Sequence, residues 1–180
     1  TSTFLDFLSS QDKNWSLCTL SFMACFLVFF ALYIPLRHYR QQWTKVYVIC
    51  FSLFFAFKAN GALMWLLPFT TFVSWYLTRS MMRLKHGKLR KTGLAITIFT
   101  ELIPLLYYKY TNFTLEIFHE LLRSNFSPMK LLLPVGISFF TFQAISYTVD
   151  VYRWRYPKTA KLLDYTFYLT FFPLLIAGPI

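Results

Sequence analysis

The sequence predicts an all-α membrane protein with several transmembrane helices, and three observations support this. Of the 180 residues, 57% are hydrophobic and 14% are charged, whereas soluble domains average about 25% charged residues. A soluble domain of this length could not bury so much apolar surface. Long uncharged stretches also alternate with basic clusters, which is the pattern of a polytopic membrane protein.

The net charge of +11 does not indicate nucleic-acid binding. The basic residues are clustered between apolar stretches instead of being spread over one water-exposed face. We therefore expect a lipid bilayer, and no nucleic acid, as the partner of this surface. Cys18, Cys25 and Cys50 all lie inside apolar stretches, which indicates buried hydrophobic side chains instead of a disulfide framework or a metal site.

The first half of the chain predicts three membrane spans. Residues 15–36 form an uncharged run of 22 residues, which as a helix measures about 33 Å and exceeds a hydrocarbon thickness of about 30 Å. Residues 46–57 and 59–78 are apolar, and we interpret them as a helical hairpin with a tight outer turn. Pro68 predicts a kink in its second helix, and Lys58 is expected to reach the membrane interface.

The second half predicts a fourth span at residues 92–108, a fifth at 131–150 and the start of a sixth at 165–180. Glu101 lies within the fourth span, where an acidic side chain is costly unless it faces protein, water or a cation. Residues 112–126 show apolar and charged faces at helical spacing, which is typical of an amphipathic helix on the membrane surface. An ordinary helix packed on neighbouring loops fits the same pattern.

Basic clusters at residues 37–45, 79–91 and 153–161 fall between alternate spans. The positive-inside rule places all three in the cytoplasm and the N-terminus outside. An anionic-lipid site is an alternative interpretation of the 79–91 cluster. Because the last apolar run reaches Ile180 and Thr1 stands in place of Met, we expect residues 1–180 to be a single membrane domain from the N-terminal part of a longer protein.

Few residues are candidates for catalysis. His38 and His86 lie in basic loops, and His119 shares a polar helix face with acidic and basic neighbours, which indicates surface residues or local ion pairs. The sequence has no glycine-rich phosphate loop, nucleophile elbow or metal-ligand cluster. We therefore predict no catalytic residue and no metal ligand in this chain.

The best site candidates are polar residues of the 131–150 span. Ser146, Tyr147 and Asp150 follow Gln143 by three, four and seven residues, and the four residues therefore share one helix face. In hydrocarbon this face should contact the protein interior or a wet cavity. It serves either hydrogen bonding between helices or the lining of a substrate passage. The predicted passage residues are Ser138, Gln143, Tyr147 and Asp150.

Three sequence blocks resemble a known family. They are YYKYTNF at residues 107–113, LPVGISFFTFQAISYTVDVYR at residues 133–153, and Asp164-Tyr165 followed by FFPLLIAGPI at residues 171–180. In this order they resemble the membrane-bound O-acyltransferase (MBOAT) superfamily. The closest resemblance is to its bacterial alginate O-acetyltransferases and D-alanyl-lipoteichoic-acid transferases. Trp154 departs from the pattern, because many bacterial members carry glycine there.

This resemblance implies an acyltransferase of the bacterial inner membrane. Members hold a funnel of helices in which an acyl donor, here acetyl-CoA or an acyl-carrier-protein thioester, meets an acceptor hydroxyl, with no bound cofactor. The acyl group, expected to be acetyl, would cross the membrane to a cell-surface polysaccharide such as alginate or to an extracytoplasmic acetyltransferase. The family's general-base histidine follows the last block, so this chain alone is expected to be inactive.

Two other classes of function stay open. A transporter or channel subunit would use Glu101 as an ion-coupling carboxylate, although five glycines and the lack of a repeated half disfavour it. A non-enzymatic membrane module would dock an extracytoplasmic partner.

Overall fold

The computed structural model describes residues 20–39, 41–84, 87–122, 134, 136–156 and 159–173. Every regular element in these ranges is helical, which confirms the all-α class. Parts of the predicted spans 15–36, 131–150 and 165–180, and of the surface helix 112–126, lie outside them. The helices are α1 (Leu20–Tyr39), α2 (Gln41–Asn60), α3 (Leu66–Arg83), α4 (Lys88–Leu122), α5 (Ile137–Tyr152) and α6 (Leu162–Thr170), with a 3₁₀ segment (Gly61–Trp65) between α2 and α3.

Helix α6 contacts three other helices of the bundle. It packs against α2, α3 and α5, while α4 packs against α3 and α5, and α1 packs against α2. The predicted hairpin at residues 46–78 therefore differs in one respect, because its two helices both pack against α6 and make few contacts with each other. Pro68 lies in the first turn of α3, where a missing N–H removes no intrahelical hydrogen bond.

The predicted fourth span and the predicted surface helix are parts of one continuous helix. Helix α4 runs for 35 residues and contains Pro104. Residues 109–111, between the two predicted elements, include no glycine or proline that would end a helix. The hydroxyl of Thr111 donates a hydrogen bond to the carbonyl of Tyr107 across this junction. The predicted division into two helices therefore does not appear in the backbone.

Two apolar clusters form the core. The larger cluster draws residues from the five helices α2, α3, α4, α5 and α6. It includes Ala56, Leu67, Leu105, Ile137, Phe140, Ala144, Tyr165 and Leu169. The smaller is aromatic: Phe29 of α1 stacks on Phe51 at 4.2 Å between ring centroids and meets Phe172 edge-on at 6.0 Å. Lys58 is only 2% exposed, so the prediction that it reaches the interface is wrong for this structure.

The described parts of the three basic loops lie at one end of the bundle. Lys45, at the start of α2, forms a salt bridge with Asp164, at the start of α6. Arg90 donates a 3.1 Å hydrogen bond to the carbonyl of Tyr152 at the end of α5, and its guanidinium lies 4.5 Å from the Trp154 ring centroid. At the opposite end, Pro134 lies beside Asn60 and Leu63 around a small cavity.

One helical stretch in the described ranges, residues 41–83, is long and apolar enough to cross a membrane by length and composition. It comprises α2, the 3₁₀ segment and α3. A shorter apolar helix covers Met23–His38. This measure does not confirm the five complete spans predicted from the sequence.

Candidate functional site

A cavity of about 240 Å³ lies between α5 and α6, at the end of the bundle that carries the basic loops. We call it the tyrosine cavity, because four of its lining residues are tyrosines. Its lining comprises Tyr147, Asp150, Tyr156, Ala160, Asp164, Tyr165 and Tyr168.

Tyr147 is held in place by the extended segment before α6. Its phenolic oxygen accepts a 2.8 Å hydrogen bond from the N–H of Ala160. The carbonyl of Ala160 in turn accepts a 2.9 Å hydrogen bond from the indole N–H of Trp75 in α3. The Tyr147 ring lies 4.8 Å from that of Tyr165 between centroids. These contacts fix one wall of the cavity against two neighbouring helices.

Two carboxylates border the cavity, and each has a cationic partner. Asp150 accepts a 2.9 Å hydrogen bond from Nη1 of Arg155, whose side chain is exposed. Asp164 is paired with Lys45. Because an exposed ion pair contributes little to stability, the Asp150 carboxylate can exchange Arg155 for another cationic or hydroxyl group at small cost.

The structure brings three of the four predicted passage residues to this region. Tyr147 and Asp150 line the cavity. Gln143 lies beside it, and its Nε2 donates a 2.9 Å hydrogen bond to the carbonyl of Tyr168, as expected for hydrogen bonding between helices. Ser138 lies in the first turn of α5, three helical turns from Asp150, and is not part of this lining. The role of all four as a passage stays a prediction.

A buried network of hydroxyls surrounds Glu101 on the other side of Tyr165. Oε1 of Glu101 accepts a 2.9 Å hydrogen bond from Thr148 and a second bond from Ser74. Thr148 is also bonded to Thr78 at 2.9 Å, and Ser74 is bonded to the Tyr165 hydroxyl at 2.6 Å. Of the three environments expected for Glu101, namely protein, water or a cation, the structure shows protein hydroxyls at its Oε1 atom.

Sequence reasoning identified Glu101 but missed its partners. Ser74 and Thr78 lie in the predicted span 59–78 and Tyr165 lies in the span 165–180, and periodicity within one helix cannot show that they meet Glu101. The only signal was indirect, because a buried carboxyl group needs polar partners. Within the described part of the chain, no group of three or more His, Cys, Asp or Glu side chains could hold a metal ion.

Comparison with known proteins finds O-acetylating enzymes. A probable alginate O-acetylase AlgI from Pseudomonas aeruginosa is 42% identical over 91 residues, which cover 48% of this chain and 18% of that protein. The Azotobacter vinelandii protein of the same description is 40% identical over the same shares of the two chains. A peptidoglycan O-acetyltransferase from Helicobacter pylori is 29% identical over 186 aligned residues, which cover 88% of this chain and 35% of that protein.

The chain thus spans less than two thirds of the length of these relatives. No family model matches it, and no solved structure matches it significantly.

Proposed function

We propose, on the premise that this chain is related to the O-acetyltransferases of the MBOAT superfamily, that it forms part of the membrane domain of an acyltransferase. The enzyme would transfer an acetyl group to hydroxyls of a cell-surface polysaccharide, with alginate and peptidoglycan as the classes suggested by the relatives. An extracytoplasmic acetyltransferase is the alternative recipient.

One observation carries the proposal. Four residues that line the tyrosine cavity belong to sequence blocks that resemble the family: Tyr147 and Asp150 to residues 133–153, and Asp164 and Tyr165 to the block that follows. A cavity lined by tyrosine hydroxyls and carboxylates inside an apolar bundle is suited to a polar substrate group. Its place among the basic loops is suited to an anionic donor such as acetyl-CoA or an acyl-carrier-protein thioester.

The same proposal places the chain in the bacterial inner membrane as a multi-pass protein with its N-terminus outside. Support comes from the gathering of the three basic loops at one end of the bundle and from large apolar side chains that are exposed on its sides. Exposed apolar surface on this scale is unusual for a soluble monomer. Residues 41–83 form a helical stretch that is long and apolar enough to cross a membrane.

The reaction would exchange one acyl bond for another. The acceptor hydroxyl oxygen forms a C–O bond with the thioester carbonyl carbon, the C–S bond breaks, and the hydroxyl proton ends on the leaving thiol. In this scheme Tyr147 and Asp150 bind and orient the substrate as it passes, with Gln143 supporting the wall and Ser138 lying further along the same helix. No residue of this chain is assigned as the general base.

Replacing wall residues in the full-length enzyme tests the proposal. We expect Asp150→Leu to lower O-acetyl transfer about tenfold without lowering thermal stability, since an interaction with the bound substrate is worth about that factor. Gln143→Leu should lower transfer less, and Phe142→Leu, on an exposed face of α5, should leave transfer unchanged. Unchanged transfer and unchanged stability in both wall variants would remove Asp150 and Gln143 from the site.

A further inference from the structure

A second cavity, of about 140 Å³, lies among α3, α4, α5 and α6. We call it the Glu101 cavity. Most of its wall is apolar, and the side chains that matter here are Phe69, Val73, Ile103, Phe140, Ala144 and Leu169. Since one water molecule occupies about 30 Å³ in the liquid, the cavity has room for more than a single water.

Two polar residues of this wall carry an oxygen without a hydrogen-bond partner among the described residues. Glu101 is 8% exposed and Thr141 is 1% exposed. The atoms concerned are Oε2 of Glu101 and Oγ1 of Thr141. Buried polar atoms are nearly always hydrogen-bonded, because an unpaired one loses its hydration without replacement. Both oxygens have almost no accessible surface, so a ligand atom would reach them after a small shift of the cavity wall and would be stabilised there.

The other hydroxyls of the wall are already bonded. Thr70 donates to the carbonyl of Leu66 at 2.7 Å, and Thr100 donates to the carbonyl of Ile96 at 2.9 Å. Ser74 is bonded to Glu101 and Tyr165. Any polar group of a ligand would therefore gain most from Glu101 and Thr141.

The cavity also reaches the outer surface of the bundle. Phe69 and Ile103 belong to its wall, and they are 66% and 48% exposed. On the proposed membrane location this surface faces hydrocarbon, so an apolar chain could extend from the cavity into the bilayer.

From these observations we propose that the Glu101 cavity binds the hydroxyl end of an alkyl-chain ligand. The hydroxyl bonds Glu101 and Thr141, and the chain lies along Val73, Ile103 and Phe140. A hydroxyl suits both oxygens because it donates and accepts hydrogen bonds. A plain alkyl chain would leave both oxygens unpaired. A carboxylate head would lie against the Glu101 carboxyl group with no cation between them. The site is distinct from the tyrosine cavity and does not require acyl transfer.

Photolabelling of the full chain in phospholipid nanodiscs tests this site. The probe is a primary octanol with a diazirine on its chain, and the matched control is the same diazirine-bearing octane without the hydroxyl. We expect the alcohol to label Phe69, Val73 or Phe140 at least fivefold more than the alkane, as one added net hydrogen bond implies about that factor. Unlabelled 1-octanol should compete. Equal labelling by both probes would overturn the proposal.

Two valine variants separate the hydroxyl site from general partitioning into hydrocarbon. Thr141→Val removes an unpaired hydroxyl and Thr70→Val removes a bonded one from the same wall. Labelling by the alcohol should fall about fivefold in Thr141→Val and stay unchanged in Thr70→Val. Equal effects of the two variants would contradict the proposal.

Ala144→Leu provides a variant that fills the cavity. It should abolish labelling while the circular dichroism spectrum stays helical. Retained labelling in this variant would place the probe elsewhere. Lipid extraction of the purified protein identifies the source of the ligand: a hydroxyl-headed lipid retained by the wild type and lost in Ala144→Leu is a membrane component, whereas labelling without a retained lipid indicates a free alcohol.

Discussion

The hydroxyl oxygens of Ser74 and Tyr165 lie 2.6 Å apart at the boundary between the two cavities. Ser74 lines the Glu101 cavity and Tyr165 lines the tyrosine cavity. Because Ser74 also donates to Glu101, one short chain of hydrogen bonds ties α3, α4 and α6 together. The position of α6, and therefore the shape of both cavities, depends on this chain.

Tyr165→Phe should destabilise the chain by about 1 kcal/mol, because a buried hydrogen bond to Ser74 is lost. The matched control is Tyr168→Phe, which removes a hydroxyl from the same cavity at a more exposed position and should change stability by less than about 0.5 kcal/mol. Unfolding in a denaturing-detergent titration measures both. Equal effects of the two variants would show that the Ser74–Tyr165 bond contributes little.

A double-mutant cycle isolates the bond itself. Ser74→Ala and Tyr165→Phe should be less than additive by about 1 kcal/mol, because the second substitution removes a partner that the first has already left unpaired. Thr78 is connected to Ser74 only through Thr148 and Glu101. The effects of Thr78→Ala and Tyr165→Phe on stability should therefore be closer to additive. Full additivity of Ser74→Ala with Tyr165→Phe would contradict a direct coupling.

The sequence predicts the helices of this fold better than their partners. Apolar runs show where helices lie, because burial in lipid or protein leaves a strong local signal. The junction at residues 109–111 was misjudged, since a change from a uniformly apolar to an amphipathic pattern does not require a break in the backbone. The position of α6 between α2 and α3 depends on contacts such as Phe172 N–H to Ser52 Oγ at 3.3 Å, which no local pattern contains.

The same holds for the candidate functional site: features within one helix were predictable from the sequence, and contacts between helices were not. The stripe of Gln143, Tyr147 and Asp150 was predictable, because residues on one helix have fixed angular spacing. The tyrosines and Asp164 that complete the cavity come from α6 and the segment before it, and only the packed structure brings them opposite the stripe. Thr141 is one of the polar residues of the 131–150 span but lies on another face of α5, and the sequence could not show that its hydroxyl has no partner among the described residues.

Arg90→Lys should lower stability by about 2 kcal/mol. The buried guanidinium bonds the Tyr152 carbonyl and lies over the rings of Tyr152 and Trp154 at 5.2 and 4.5 Å, and an ammonium group cannot keep a planar contact with both rings. Lys91→Ala, at the next and exposed position, should change stability by less than about 0.5 kcal/mol. Unchanged stability of the Arg90→Lys variant would show that a positive charge at this position is enough to hold residues 79–91 and 153–161 together.

Trp154→Gly should leave stability nearly unchanged in the wild type and raise it in the Arg90→Ala background. Trp154 has φ of +60°, a left-handed conformation that is unfavourable for residues with a Cβ by about 1 kcal/mol. Glycine has no Cβ, which agrees with the glycine that many bacterial members of the MBOAT superfamily carry at this position. In the wild type, relief of that strain is offset by the loss of a cation–π contact worth about 1 kcal/mol. In the Arg90→Ala background the contact is already absent, so Trp154→Gly should stabilise. Destabilisation in both backgrounds would contradict this account.

Cysteine labelling from the two sides of the membrane tests the arrangement of the loops. The background is a variant in which Cys18, Cys25 and Cys50 are replaced by alanine, and single cysteines are introduced at Gln41, Lys91 and Arg155. An impermeant maleimide should react with all three cysteines when it has access to the cytoplasmic side of the membrane, and with none of them when it has access only to the outer side. These exposed positions mark the end where Lys45 meets Asp164 and Arg90 meets Tyr152, and their basic neighbours favour the cytoplasm. Ala62→Cys, exposed in the 3₁₀ segment at the opposite end, should react from outside. Labelling of Gln41→Cys and Lys91→Cys from opposite sides would contradict both the packing and the proposed orientation.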